Sequence, residues 1–270
     1  MPSESAVINR TSQAAPPVSA LITGASKGIG RVFAERLARE GYTVTCVARD
    51  EKQLKDLLAE IGEPHQYIVA DLTDPVQLGK VVQAVKNNKY QLVINNAGYA
   101  VYDRFENVSL KRHENIIQLN IEALVKLSYA FLQTAGKGDA LLNVSSALSR
   151  VAFPGGAVYC GTKGFVTNFT ESLWYEYKDK GILVMAVLPG MTKTNFHHVA
   201  LGDRAAGLYN NKTCSPELVV EETLQALRAR NNPSLITGWR YRVLIFLATR
   251  ILSRKRMIQM MGRKSPGLGK

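Results

Sequence analysis

The chain has 270 residues, 46% of them hydrophobic and 21% charged, with a formal net charge of +12. That length carries one large α/β domain with a sizeable core and leaves little room for a second. No run reaches the ~18 apolar residues of a membrane-spanning helix. Three scattered cysteines, Cys46, Cys160 and Cys214, exclude a disulfide framework and a cysteine metal site, and they fit a cytoplasmic setting.

Residues 1–17 are polar and close in Pro16-Pro17, without the charged start and apolar stretch of a secretory signal, so an N-terminal arm is expected. An apolar run at 18–23 breaks into a glycine-rich turn, and 28–40 carries helical spacing, with Ile29, Phe33, Leu37 and Ala38 on one side. Gly41 ends that helix. A β-branched run at 43–48 predicts a strand, 52–61 a helix, 67–70 a strand and 76–85 a helix. A buried strand at 92–94 closes in Asn95-Asn96-Ala97-Gly98. A long helix is predicted over 110–134, a strand over 140–144, a second long helix over 157–178 and a strand over 182–188. Pro189-Gly190 opens an irregular segment to Cys214, Ser215 caps a helix over 216–228, and 234–237 reads as a last short strand. This alternation predicts an α/β fold: a Rossmann-type doubly wound parallel β-sheet with helices on both faces. The expected division is an arm over 1–17, a main domain over 18–238 and a basic, apolar helical tail over 239–270.

Thr23-Gly24-Ala25-Ser26-Lys27-Gly28-Ile29-Gly30 joins the first strand to the first helix. A pyrophosphate sits on the exposed amides of such a helix start, and glycine is required where the backbone approaches it most closely. The Gly-x-x-x-Gly-x-Gly spacing behind Thr23 resembles the short-chain dehydrogenase/reductase family. Six motifs in the family's order, over about 18–195, identify the chain as a member.

That resemblance implies a nicotinamide cofactor. Dinucleotide-binding sheets that take NAD place a carboxylate at the end of the second strand, where this chain reads Val47-Ala48-Arg49. A guanidinium there suits a 2′-phosphate, and Lys27 adds a second cation, so NADP(H) is expected over NAD(H), with Asp50 as the opposing charge. Asp71 and Leu72 match the contact to the adenine, although Asp71 is equally placed to cap the turn before Asp74-Pro75. Asn96, Ala97 and Gly98 match the stretch beside the adenosine. Pro189, Gly190, Thr192 and Thr194 match the segment on the nicotinamide side.

Tyr159-Cys160-Gly161-Thr162-Lys163 puts a phenol and an ammonium one helical turn apart, on the same side of a helix. A neighbouring cation favours the phenolate and draws its pKa toward neutrality. By the resemblance, Tyr159 is the acid–base group and Ser146, thirteen residues earlier, polarises the carbonyl. Lys163 holds the nicotinamide ribose, and Asn120 bends its helix and links Lys163 to solvent through water. Ser145 is left as a turn-capping residue and Cys160 as a packing residue. The implied reaction is hydride transfer between nicotinamide and a carbonyl/alcohol pair, with carbonyl reduction as the family's habit. A catalytically idle NADP(H)-binding scaffold or sensor, acting through the tail, is the alternative.

The segment 195–214 is expected to lie over the substrate, with Phe196, His197, His198, Leu201, Leu208 and Tyr209 as contacts. Residues 151–156, including Phe153, form the opposite wall. Both walls are mainly apolar, which points to a hydrophobic ketone, aldehyde or ketoacyl compound. No metal is expected, since adjacent His197 and His198 rarely share one ion. By analogy with the family, the two long helices pair copies into a homodimer or homotetramer.

The tail holds nine Lys or Arg residues between Trp239 and Lys270 and no acid, and these account for most of the net charge. It reads either as an extra helix packed on the body or a partner subunit, or as an interfacial helix resting peripherally on anionic membrane. Nucleic-acid binding is disfavoured, because no sequence-reading motif accompanies the charge.

Overall fold

The computed structural model describes residues 18–201, 213–265 and Leu268; the expected arm lies outside the described residues. Seven parallel strands form one sheet: β1 (Ser19–Thr23), β2 (Thr43–Ala48), β3 (Gln66–Val69), β4 (Leu92–Asn95), β5 (Ala140–Val144), β6 (Leu183–Leu188) and β7 (Ser234–Ile236). Their order is β3-β2-β1-β4-β5-β6-β7. The chain runs outward from β1 to β3 and then crosses to β4 on the other side of β1. The order therefore reverses between β1 and β4, where a doubly wound sheet opens its ligand crevice.

The central strands are apolar throughout because both faces are covered: β4, β5 and β6 are buried along their whole length. Alternate residues serve opposite layers. Ala20 and Ile22 face a core built with Phe33 and Leu37 of α1 (Gly28–Arg39), Leu54 and Leu57 of α2 (Glu51–Ile61), and Val219 and Leu224 of α8 (Pro216–Ala229). Leu21 and Val93 face the other core, with Leu78 and Val81 of α3 (Pro75–Asn87) and Leu127 and Phe131 of α5 (Leu124–Leu132). The helix caps follow the sequence signals. Asp50 accepts from the Gln53 amide, Asp74 from Val76 and Gln77, and Ser215 from Leu218.

Three features depart from the expected elements. The long helix over 110–134 is α4 (Leu110–Ile117) and α5 joined by a π-helical turn, Gln118–Ala123. The looser turn sets Asn120 into the protein, where it is 1% exposed and bonded to both backbone polar groups of Tyr99. Next, α7 (Phe196–Leu201) forms inside the segment expected to be irregular. It is held by burial of Ala200 and Leu201 and by the Tyr102 amide, which donates to the Ala200 carbonyl at 3.1 Å. Last, the tail is two helices, α9 (Trp239–Ile251) and α10 (Arg254–Arg263).

Candidate active site

The turn after β1 is pinned to the end of β4. The Thr23 hydroxyl accepts from the amides of Asn96 and Ala97, each at 3.0 Å, and the Asn96 side chain donates back to the carbonyls of Thr23 and Gly24. Gly24 takes φ +66, and a Cβ on Gly30 would fall 2.3 Å from the Gly24 carbonyl oxygen. These two glycines are structural requirements of the turn. No side chain caps α1, and its first amides open toward the crevice. Lys27 is exposed at the helix start. Ser26 and Ile29 are half-buried, and Ile29 packs on the first core.

Arg49 extends from the end of β2 to within 3.6 Å of the Asp71 carboxylate. Asp50 caps α2, so its charge is engaged with the helix start. Asp71 takes the turn-capping alternative, accepting from the amide and hydroxyl of Thr73. Burial is the largest single effect and raises its pKa, but those bonds and the Arg49 guanidinium together hold the carboxyl below the usual range. The Leu72 side chain is spent in the second core, leaving only its backbone for a ligand. Past β6, the Thr192 hydroxyl turns back to the Gly190 carbonyl, and Thr194 packs on Gly28. The turn at Pro189 and Gly190 therefore leads back to the glycine loop. Residues 192 and 214 pair as a bridge that closes the stem of the intervening segment.

The candidate catalytic residues lie at the carboxyl ends of β4 and β5, against α6 (Ala157–Tyr177). Tyr159 and Lys163 share one side of α6, the ammonium lying 5.9 Å from the phenol ring centre. Both are buried, at 5% and 4% exposure. Lys163 Nζ donates to the Val144 carbonyl at 2.7 Å. Burial alone lowers its pKa to about 8. The phenol behaves differently from expectation. Burial pushes the Tyr159 hydroxyl well above its ordinary value, and a hydrogen bond with Ser146 offsets only part of the rise. Burial is the largest effect on the phenol, and Cys160 adds to the rise.

Asn120 donates to the Thr162 hydroxyl at 3.0 Å as well as to Tyr99. Asn120 Oδ1 and Lys163 Nζ both crowd the point a Cβ on Gly98 would occupy, at 3.0 and 3.4 Å. Gly98 is thus where the β4 loop, the π turn and α6 converge. Ser145 does not cap a turn. Its hydroxyl bonds the Lys163 carbonyl and Thr167, tying β5 to α6. Cys160 packs beside Tyr159, and burial pushes its thiol up to about 12.

Around the phenol the walls are apolar. Tyr102 meets Tyr159 and Phe153 edge-on at 5.8 and 5.7 Å, and Phe196 lies 5.7 Å from Tyr159. Phe153 and Phe196 therefore reach the site as expected. The side chains of His197 and His198, and all of Leu208 and Tyr209, lie outside the described residues. Among the described residues, no group of three or more His, Cys, Asp or Glu comes together.

Sequence reasoning missed two contributors. Tyr102 stands in a loop with no motif around it. Tyr241, from α9, lies on Gly190. A buried amide ladder, Asn95 to Asn143 to Thr170, also crosses the sheet behind the site.

The family model described as short chain dehydrogenase matches residues 19–204. The serine 3-dehydrogenase of Agrobacterium fabrum is 33% identical over 186 residues, spanning 67% of this chain and 75% of that protein. The NADP-dependent 3-hydroxy acid dehydrogenase of Schizosaccharomyces pombe is 31% identical over 227 residues, spanning 78% and 87%. The structure of a short-chain dehydrogenase from Sphingobium yanoikuyae in complex with NADPH superposes with a TM-score of 0.74 at 30% identity, covering 87% of this chain and 96% of that one. With the crevice, the glycine turn and the buried tyrosine–lysine pair in place, the chain belongs to the short-chain dehydrogenase family.

Proposed function

We propose that the protein is an NADP(H)-dependent oxidoreductase that interconverts a hydrophobic carbonyl compound and its alcohol, running as a reductase. The observation that carries this reading is the burial of Tyr159 and Lys163 together on one side of α6.

The crevice fits a dinucleotide phosphate. Gly24 and Gly30 clear its floor, Gly28 and the free amides of α1 face it, and Thr23, Asn96 and Ala97 hold the turn in shape. Arg49 and Lys27 stand where a 2′-phosphate is recognised, with Asp71 fixing the adjoining turn. Complexes with NADPH or NADP+ among similar structures, and the NADP dependence named for the fission-yeast relative, support this choice of cofactor. Pro189, Gly190, Thr192 and Thr194 line the nicotinamide end, and Gly98 lets Lys163 reach it. When bound, NADP(H) supplies or accepts the hydride.

The chain's own residues manage the proton and the oxygen. Ser146 donates to the carbonyl oxygen as negative charge develops there. Tyr159 gives its proton to that oxygen. A protonated phenol can serve as that donor, and reduction is the direction that the family's habit favours. Lys163 favours the anion left behind, and a proton from solvent returns to Tyr159 by way of Lys163 along the path beside Asn120. Tyr102, Phe153 and Phe196 exclude water and select an apolar substituent. The exposed Ile117, Tyr129 and Phe165 on the long helices support a homodimer or homotetramer built through them. NADPH oxidation across hydrophobic ketones, aldehydes and 3-ketoacyl thioesters tests the reading. Turnover on at least one class is expected, and NADPH binding without turnover on any class would favour a scaffold.

A further inference from the structure

α9 has two apolar sides. Tyr241, Ile245, Ala248 and Leu252 follow helical spacing and turn inward, where Ala248 packs with Val151 and with Met257 of α10. The opposite side is also apolar and is covered by nothing among the described residues. Trp239 is 66% exposed, Phe246 57% and Ile251 72%, with Val243, Leu244 and Leu247 beside them. An uncovered cluster of this kind marks an interaction surface.

Its surroundings are cationic. Arg240 stacks on Trp239 at 5.5 Å and Arg250 on Phe246 at 5.0 Å, so each guanidinium rides on an exposed ring. α10 adds Arg254, Lys255, Arg256 and Arg263, all exposed. No Asp or Glu occurs after Glu222. Among the described residues, Arg242 is the tail's one ion-paired cation, bound to Glu222 at 3.1 Å. Among the described residues the remaining tail charges have no internal counter-ion.

We propose that α9 and α10 dock the protein on the surface of an anionic lipid bilayer. Exposed Trp and Phe enter the headgroup boundary while the Arg and Lys heads stay at phosphate level. No described helix is long and apolar enough to cross a membrane, so α9 lies along the surface. A second copy of the chain fits poorly. A two-fold contact through this face would set Arg240 and Arg250 against their own copies with no acid to neutralise them. Nucleic acid would use the charge but leave the apolar side exposed to water. The inner side of the helix pair braces the 151–156 wall, with a Cβ on Gly262 falling 3.4 Å from Pro154. Docking therefore sets the cleft beside the lipid.

The test is co-sedimentation of the full chain with vesicles of phosphatidylcholine alone and of phosphatidylcholine mixed with phosphatidylglycerol. Binding to the mixed vesicles is expected, with about tenfold or greater loss at high salt or on pure phosphatidylcholine. Phe246→Glu with Leu247→Glu removes the apolar part, and Arg254→Gln, Lys255→Gln and Arg256→Gln together remove charge. Each set is expected to weaken binding about tenfold while the circular dichroism spectrum and NADPH affinity stay unchanged. Equal binding to both vesicles, or no binding by the wild type, would overturn the proposal. So would a wild-type oligomer that the Glu pair splits in sedimentation velocity without any vesicle binding, or a preference for duplex nucleic acid that survives the Glu pair.

Discussion

Tyr241, from the C-terminal extension, lies so close over Gly190 that a Cβ there would fall 2.4 Å from its ring. The tail helix is therefore fitted to the Pro189-Gly190 turn that leads into the cofactor cleft. Gly190→Ala is expected to cost about 1–3 kcal/mol through overpacking. Tyr241→Ala made alongside should recover part of that loss. A double-mutant cycle by denaturant unfolding measures the coupling; additive effects would show that the ring moves aside freely.

Lys163 gives a pH signature of stability. Burial lowers its pKa from 10.5 to about 8, so from about 8 to 10.5 the unfolded chain binds more protons than the native one. Stability contributed by this group is absent below pH 8 and is gained as the pH rises through that window. Thermal melts of wild type and Lys163→Met should therefore diverge in favour of the wild type between pH 7 and pH 10. A constant gap would mean that the amine is not titrating as a buried group.

Arg49 should set cofactor preference. Among the described residues its guanidinium is paired only with Asp71, at 3.6 Å, and its side chain is mostly exposed and in reach of a phosphate. Arg49→Ala is expected to lower kcat/KM for NADPH by ~10–100-fold, the worth of about 1.5–3 kcal/mol for a charge-assisted bond, with little change for NADH. Steady-state kinetics with both cofactors decides it. An equal fall for both would place Arg49 in the fold and not in recognition.

The sheet was legible because buried parallel strands are continuous apolar runs, separated by segments with helical spacing such as the one that Ser215 caps. The glycine turn and the Tyr159–Lys163 pair were legible because local geometry fixes them, and Ser146 was reached through the interval that the family resemblance implies. The resemblance implied a bend at Asn120, but not its π form or its hydrogen-bond pair with Tyr99, 21 residues away in sequence. Tyr102 and Tyr241 were invisible for the same reason, since each gains its role from a partner distant in the chain. The state of the phenol was misjudged because spacing reveals the ammonium but not how dry Tyr102, Phe153 and Phe196 make the site.

The central claim is that Tyr159 delivers the proton. The direct measurement is single-turnover NADPH oxidation by Tyr159→Phe on a ketone that the wild type reduces, with NADPH affinity followed by fluorescence. The account predicts a rate loss of ~10²–10⁴-fold with NADPH affinity within a few fold of wild type. A variant that oxidises NADPH on that ketone at close to the wild-type rate would contradict it.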